Sequence, residues 1–235
     1  MTGRVPRQRR AEDRREALVV AATQLASTQG PAACTARAVA TAAGLPLASV
    51  SYYFADLSVL VAEAVRRVCR NWRDHAQDVA ARAGAAGAAR AAGAAGPAGD
   101  SVRATDLDRE RLALVIAAVI LPPREPGSAS ASVSELPPPA DRAAGAGLPA
   151  RATVATRYRH LLAAADNPVV TVEMATLRID LVTVVATLLP PCRAGIADLL
   201  VTVVDGAALG AIAEGDPDPA RRVVAAVATT LDQLL

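Results

Sequence analysis

Lysine is absent from this 235-residue chain, so its 25 cationic residues other than histidine are all arginine. Guanidinium groups favour two-pronged contacts with phosphate and guanine over the point-charge contacts of an ammonium. Aromatic residues are nearly missing as well: one Trp, three Tyr and one Phe. The apolar content is instead dominated by Ala, which favours closely packed helices over a sheet sandwich. Cys34, Cys69 and Cys192 are few, odd in number and widely spaced, which excludes a disulfide framework or a zinc pattern and suits a reducing cytoplasm. All three are expected to be small core residues. No uncharged apolar run reaches the length of about 18 residues needed to cross a bilayer, the longest candidate being 179–189, so no membrane span is expected. Six arginines fall in the first 15 residues with no apolar stretch behind them, which is not a secretory signal.

Catalytic fingerprints are missing in the same way. There is no G-x-S-x-G, phosphate-binding loop or dinucleotide motif. His75 and His160 are far apart, and Asp74, His75 and Asp78 read as a solvated charged helix surface rather than a metal site. No catalytic residue, metal or cofactor is expected.

What is present is unevenly distributed. Residues 1–54 carry seven arginines against three acids, whereas 55–235 carry 18 against 20. Taken alone, an Arg-rich N-terminus is equally a disordered, solubilising arm. Three of the five aromatic residues, Tyr52, Tyr53 and Phe54, stand side by side behind Gly44-Leu45-Pro46. Simple core packing is the plain reading of such a cluster, but a core would spread its few rings through the interior.

Periodicity and punctuation predict helices throughout and no convincing strand. A first helix over 10–29 has Leu18, Ala22 and Leu25 inward and stops at Gly30-Pro31. Thr35 is placed to cap a short helix over 36–43, with Val39, Ala42 and Ala43 inward, and Gly44 ends it. A third helix over 47–53 directs Val50 and Phe54 inward, completing a helix-turn-helix pattern. A long helix follows, capped by Asp56, with Leu57, Leu60, Val61, Ala64, Val65, Val68 and Trp72 in helical phase. The low-complexity run 83–100 frays from it or forms a loop, and the Pro-rich 122–150 reads as a disordered surface insertion. Further helices are expected over 107–121, 154–165, 170–189, 196–213 and 219–235, the last launched by Asp218-Pro219. Near Tyr158, Arg157 and His160 stand one turn apart while Tyr158 points inward with Val154 and Leu161.

The segment "TARAVATAAGLPLASVSYYF" resembles the DNA-binding unit of the tetracycline-repressor (TetR) family of bacterial regulators. The likeness covers about residues 12–65, and "LLVTVVDGAALGAIAEGDPDPARR" is similar to the penultimate helix and following turn of many members. The resemblance implies that Thr35 caps the second helix near a phosphate and that Arg37 lies near the DNA backbone. Pro46, Leu47, Ala48 and Ser49 would face base edges, and Tyr52 and Tyr53 would meet phosphate and thymine methyl groups. Phe54 would turn inward. The sequence departs from the family in having Leu57 for a phosphate-contacting Lys, Ala48 for Gly and Ser51 for Tyr.

These readings combine into an all-α regulator: a basic flexible arm (1–11), a helix-turn-helix domain (12–56) and a helical effector-binding and dimerisation domain (57–235). Expected partners are double-stranded palindromic DNA, an apolar small-molecule effector and a second copy of the chain, with no membrane, in the cytoplasm. Tyr158, Met174, Leu177 and Leu181 are the candidate pocket residues. Residues 196–235 would form the homodimer, with Ile196, Leu199, Leu200, Val203, Gly206, Ala207 and Gly210 at its centre, because a helix apolar nearly all round must be covered on both sides. The alternative is a helical small-molecule-binding protein or enzyme with an incidental basic arm.

Overall fold

The computed structural model describes residues 5–93, 101–123, 148–149 and 151–234. Among them there are nine α-helices and no strand: α1 (Val5–Gln29), α2 (Ala36–Ala42), α3 (Ala48–Tyr53), α4 (Leu57–Gly93), α5 (Ser101–Ile120), α6 (Arg151–Ala163), α7 (Pro168–Leu188), α8 (Ala197–Ala213) and α9 (Pro219–Leu234). Short 3-10 turns, Pro31–Ala33 and Pro191–Ile196, precede α2 and α8. The protein is all-α.

Helix ends differ from expectation where composition outweighs punctuation. α1 begins at Val5, so residues 5–11 of the expected flexible arm are helical. Pro6 falls in the first turn, where its missing N–H costs no hydrogen bond, and the Gln, Arg, Ala and Glu that follow are good helix formers. α4 runs on through the Ala-rich residues 83–93, and 94–100 lie outside the described residues. Of the expected insertion 122–150, residues 124–147 and 150 lie outside them too, while Pro122 and Pro149 are buried.

The chain divides into two compact units, Met1–Asn71 with Thr156–Leu177, and Trp72–Ala155 with Arg178–Leu235. This division does not fall at the boundary expected after residue 56. Leu60 and Ala64 of α4 are buried in one cluster with Leu18 and Ala22 of α1, Val39 of α2, and Val50 and Phe54, with Leu57, Val61 and Val68 packed against it. The apolar face of α4 thus completes the core of the first unit. Val39 and Ala40 are the buried residues of α2, whereas Ala42, expected inward, is exposed. Cys34 donates a hydrogen bond to the Ala22 carbonyl at 3.3 Å, and burial pushes its thiol up to about 11.

In the second unit α9 packs against both α5 and α8. Val223, Val227 and Leu231 recur every four residues on its buried face, and Ile116 and Ile120 of α5 and Leu200, Val204 and Ala208 of α8 are buried in the same unit. Gly215, at φ 74°, ends α8, and the Asp218 carboxylate accepts from the Arg221 N–H at 3.1 Å to start α9. Leu200, expected at a dimer interface, is fully buried within its own chain. Cys192 is exposed rather than core, because it sits on the surface turn Pro191–Ile196. The segment Pro191–Ala213 is long and apolar enough, by length and composition, to cross a membrane, although Arg193, Asp198 and Asp205 keep it from being an uncharged run. Its helix nevertheless has six residues buried in the fold, and Asp198 and Asp205 are both paired with Arg178.

Candidate nucleic-acid interface

Two glycines shape the path from α1 to α3. Gly30 stands at φ 89°, ψ 161°, a region that essentially only glycine occupies. The turn Pro31–Ala33 follows, and Thr35 caps α2, its Oγ accepting from the Ala38 N–H at 3.2 Å. At the other end Gly44, φ 64°, reverses the chain, with the Gly44 N–H donating to Thr41 and the Leu45 N–H to Ala40. Pro46 and Leu47 then turn into α3, where the Ser49 and Val50 N–H groups donate to the Pro46 and Leu47 carbonyls.

α3 is held from within and bare outside. Val50 and Phe54 are 4% and 3% exposed, while Leu47 and Tyr52 are 50% and 80% exposed. Pro46, Ala48 and Ser51 are also exposed, and Ser49 is half-buried. The ring of Phe54 lies beneath the Arg15 guanidinium at 4.8 Å. Arg15 in turn donates to both Glu63 carboxylate oxygens, at 2.5 and 3.1 Å, a hydrogen bond that raises its pKa further. Arg67 pairs with Glu16, so two ion pairs tie α1 to α4. Asp56 caps α4 by accepting from the Ser58 N–H at 2.9 Å.

Thr35 and Arg37 are exposed on and before α2. Tyr52 and Tyr53 meet edge to face with centroids 4.9 Å apart, but only Tyr52 stands free; Tyr53 is half-buried against the core cluster. Sequence reasoning gave Ser51 no role, although its i+3 relation to Ala48 puts it on the same outward side. Its hydroxyl donates back to the Ala48 carbonyl at 3.2 Å.

Tyr158, Met174 and Leu177 belong to the first unit and Leu181 to the second. Tyr158, Leu177 and Leu181 are 7%, 2% and 5% exposed, and Met174 is half-buried. Arg157 is as buried as Tyr158. The i, i+3, i+4, i+7 spacing of Val154, Arg157, Tyr158 and Leu161 carried that signal, which its charge masked. His160 donates from Nε2 to the Thr28 carbonyl at the end of α1, 3.1 Å away. His75 is half-buried; burial lowers its pKa, partly opposed by a hydrogen bond to the Ala118 backbone. A separate cleft of about 310 Å³ in the second unit is lined by Arg109, Glu110, Arg221, Val224, Ala228 and Asp232, none of them an expected pocket residue.

Solved structures match this arrangement along nearly the whole chain. A transcriptional regulator from Rhodococcus sp. Rha1 superposes with a TM-score of 0.56 at 18% identity, over 93% of this chain and 94% of its own. The multidrug binding protein EbrR, in complex with proflavin, superposes with a TM-score of 0.53 at 21% identity, over 91% of this chain and 97% of its own. The likeness establishes the fold. No protein-family model and no curated protein matches the sequence.

Proposed function

We propose that the chain is a sequence-specific DNA-binding transcription regulator of the tetracycline-repressor type, acting in the cytoplasm as a homodimer. The observation that carries this reading is α3: a short helix pinned from inside by Val50 and Phe54 that turns Leu47, Ala48, Ser51 and Tyr52 to solvent. Thr35, Arg37, Pro46, Ser49 and Tyr53 complete the DNA-facing set. A regulator among the solved structures of the same fold supports it. Residues 12–56 carry the DNA-reading head, whose core the first turns of α4 complete, and the remainder is the effector-binding and dimerisation part, with α8 and α9 pairing two copies.

The effector is a small molecule, a reading supported by the ligand-binding neighbour of the same fold, and its apolar character is read from Tyr158, Met174, Leu177 and Leu181. It acts by shifting the population between DNA-competent and incompetent arrangements of the two heads, so that DNA affinity falls and repression is relieved.

The test is selection of bound duplexes from a random pool, followed by titration of the enriched site at several salt concentrations. A palindromic site should emerge, with log affinity falling against log salt by about 0.9 per phosphate contact. A carrier or enzyme with an incidental basic arm would enrich no sequence, and that outcome would overturn the reading.

A further inference from the structure

We propose that this head reads A·T pairs through thymine 5-methyl groups, with Leu47 and Ala48 as the specificity-determining residues. The inference rests on the DNA-binding function proposed above and names the chemistry of the sequence it recognises.

Each base offers a different edge in the major groove. Guanine is read by a two-pronged Arg or Lys, adenine by a two-pronged Asn or Gln, cytosine by a carboxylate, and thymine by apolar contact with its methyl group. From Gly30 to Arg70 the chain has no Asn, Gln or Lys, and between Gly30 and Ala55 Arg37 is the one charged residue. Adenine therefore has no amide partner on α2, the turn or α3. The side chains α3 and its leading turn present to solvent are Pro46, Leu47, Ala48, Ser51 and Tyr52. The first three are apolar. Ser51 already donates its hydroxyl proton to the Ala48 carbonyl, so it offers a base only an acceptor. Tyr52 lies in the last turn of the helix and brings a single hydroxyl.

A single exposed leucine is ordinary on a protein surface. Here the apolar side chains Pro46, Leu47 and Ala48 form the whole outward surface at the start of α3, and the polar Ser51 and Tyr52 come only a turn later. With them, a T·A pair differs from a C·G pair chiefly by the methyl that Leu47 or Ala48 can cover. Arg37, on the neighbouring helix, is left as the side chain of this motif able to read guanine.

Replacing thymine by deoxyuridine removes the methyl and preserves every hydrogen-bonding group. After the operator has been selected, dissociation constants are measured on duplexes with each thymine replaced in turn. One or more positions per half-site should lose about three- to five-fold in affinity, the scale of one buried methyl group. The same replacements should cost nothing with Leu47→Ala or with Ala48→Gly, whichever residue covers that methyl; Leu47 is half exposed, so its truncation leaves the fold intact, as a thermal melt checks. A selected operator indifferent to deoxyuridine at every position overturns the methyl reading while leaving DNA binding standing. A penalty that persists in both variants overturns the assignment to α3. A pool that yields no enriched sequence removes the DNA-binding function itself, and this inference with it.

Discussion

Tyr52 and Phe54 are two residues apart and do opposite work. Phe54 is 3% exposed, packed among Leu18, Val39, Val50 and Leu60, and roofed by the Arg15 guanidinium. Phe54→Ala should therefore destabilise the protein by about 3–5 kcal/mol, as truncation of a buried ring does. Tyr52 is 80% exposed, and Tyr52→Ala should change stability by no more than about 0.5 kcal/mol while specific DNA affinity falls. Tyr53, packed against the same cluster as Phe54, should lose some of both. Urea unfolding and fluorescence anisotropy on the three variants separate these roles. Equal destabilisation by Tyr52→Ala and Phe54→Ala would mean the inside and outside of α3 are misassigned.

Between elements, the informative junction lies at the end of α1. A Cβ on Gly30 would stand 2.7 Å from His160 Nδ1 and 3.3 Å from its Cβ, too near the root of the side chain for a small rotation to relieve. The His160 ring is held there by its hydrogen bond to the Thr28 carbonyl, one of the carbonyls at the C-terminal end of α1 that the helix itself leaves unsatisfied. Gly30→Ala thus meets two obstacles, a backbone strain of about 1–3 kcal/mol and the displacement of His160. A double-mutant cycle divides them. In a His160→Ala background, which removes the ring and keeps only the 3.3 Å contact with Cβ, the cost of Gly30→Ala should fall towards the strain, with a coupling of about 0.5–1.5 kcal/mol, the net worth of one hydrogen bond. Strictly additive costs would show that the ring is not held against Gly30 in solution. The ion pairs of Arg15 with Glu63 and Arg67 with Glu16 join α1 to α4, but being partly solvated each contributes little.

For the whole molecule, the open question is what covers α8. Leu200, Val201, Val204, Ala208 and Ala211 are buried within the chain, while Leu199 and Leu209 are 46% and 37% exposed with Gly206 between them. Beside this stripe Arg178 reaches from α7 to Asp198 at 2.9 Å, Asp205 at 3.2 Å and the Thr202 hydroxyl at 2.8 Å, which fixes the polar margin of the surface. We expect a second copy to close over Leu199, Gly206 and Leu209, with the two-fold axis that a palindromic operator requires. Leu209→Arg should then sediment as a folded monomer and bind DNA weakly, because each head would bind its half-site alone. Sedimentation velocity at micromolar concentration decides it, and a wild-type monomer there would remove the two-headed mechanism.

Much of this was legible in the sequence, for a physical reason. The Thr35 cap, the turn at Gly44, the Asp218-Pro219 start of α9 and the inward set Val50 and Phe54 all depend on neighbours within a few residues, so local chemistry determined them. The all-α class followed from the same signals repeated along the chain. What local chemistry could not decide was which element arrives over each face. Ala40 rather than Ala42 is covered on α2, Arg157 is buried beside Tyr158, Tyr53 is half withdrawn while Tyr52 is free, and Leu200 is used inside its own chain. The boundary expected after residue 56 follows the start of α4, which looks like a new element in the sequence, while the first turns of α4 supply Leu60 and Ala64 to the same buried cluster as α1 to α3. Burial is settled by the partner across the interface, and only the tertiary structure brings that partner into place.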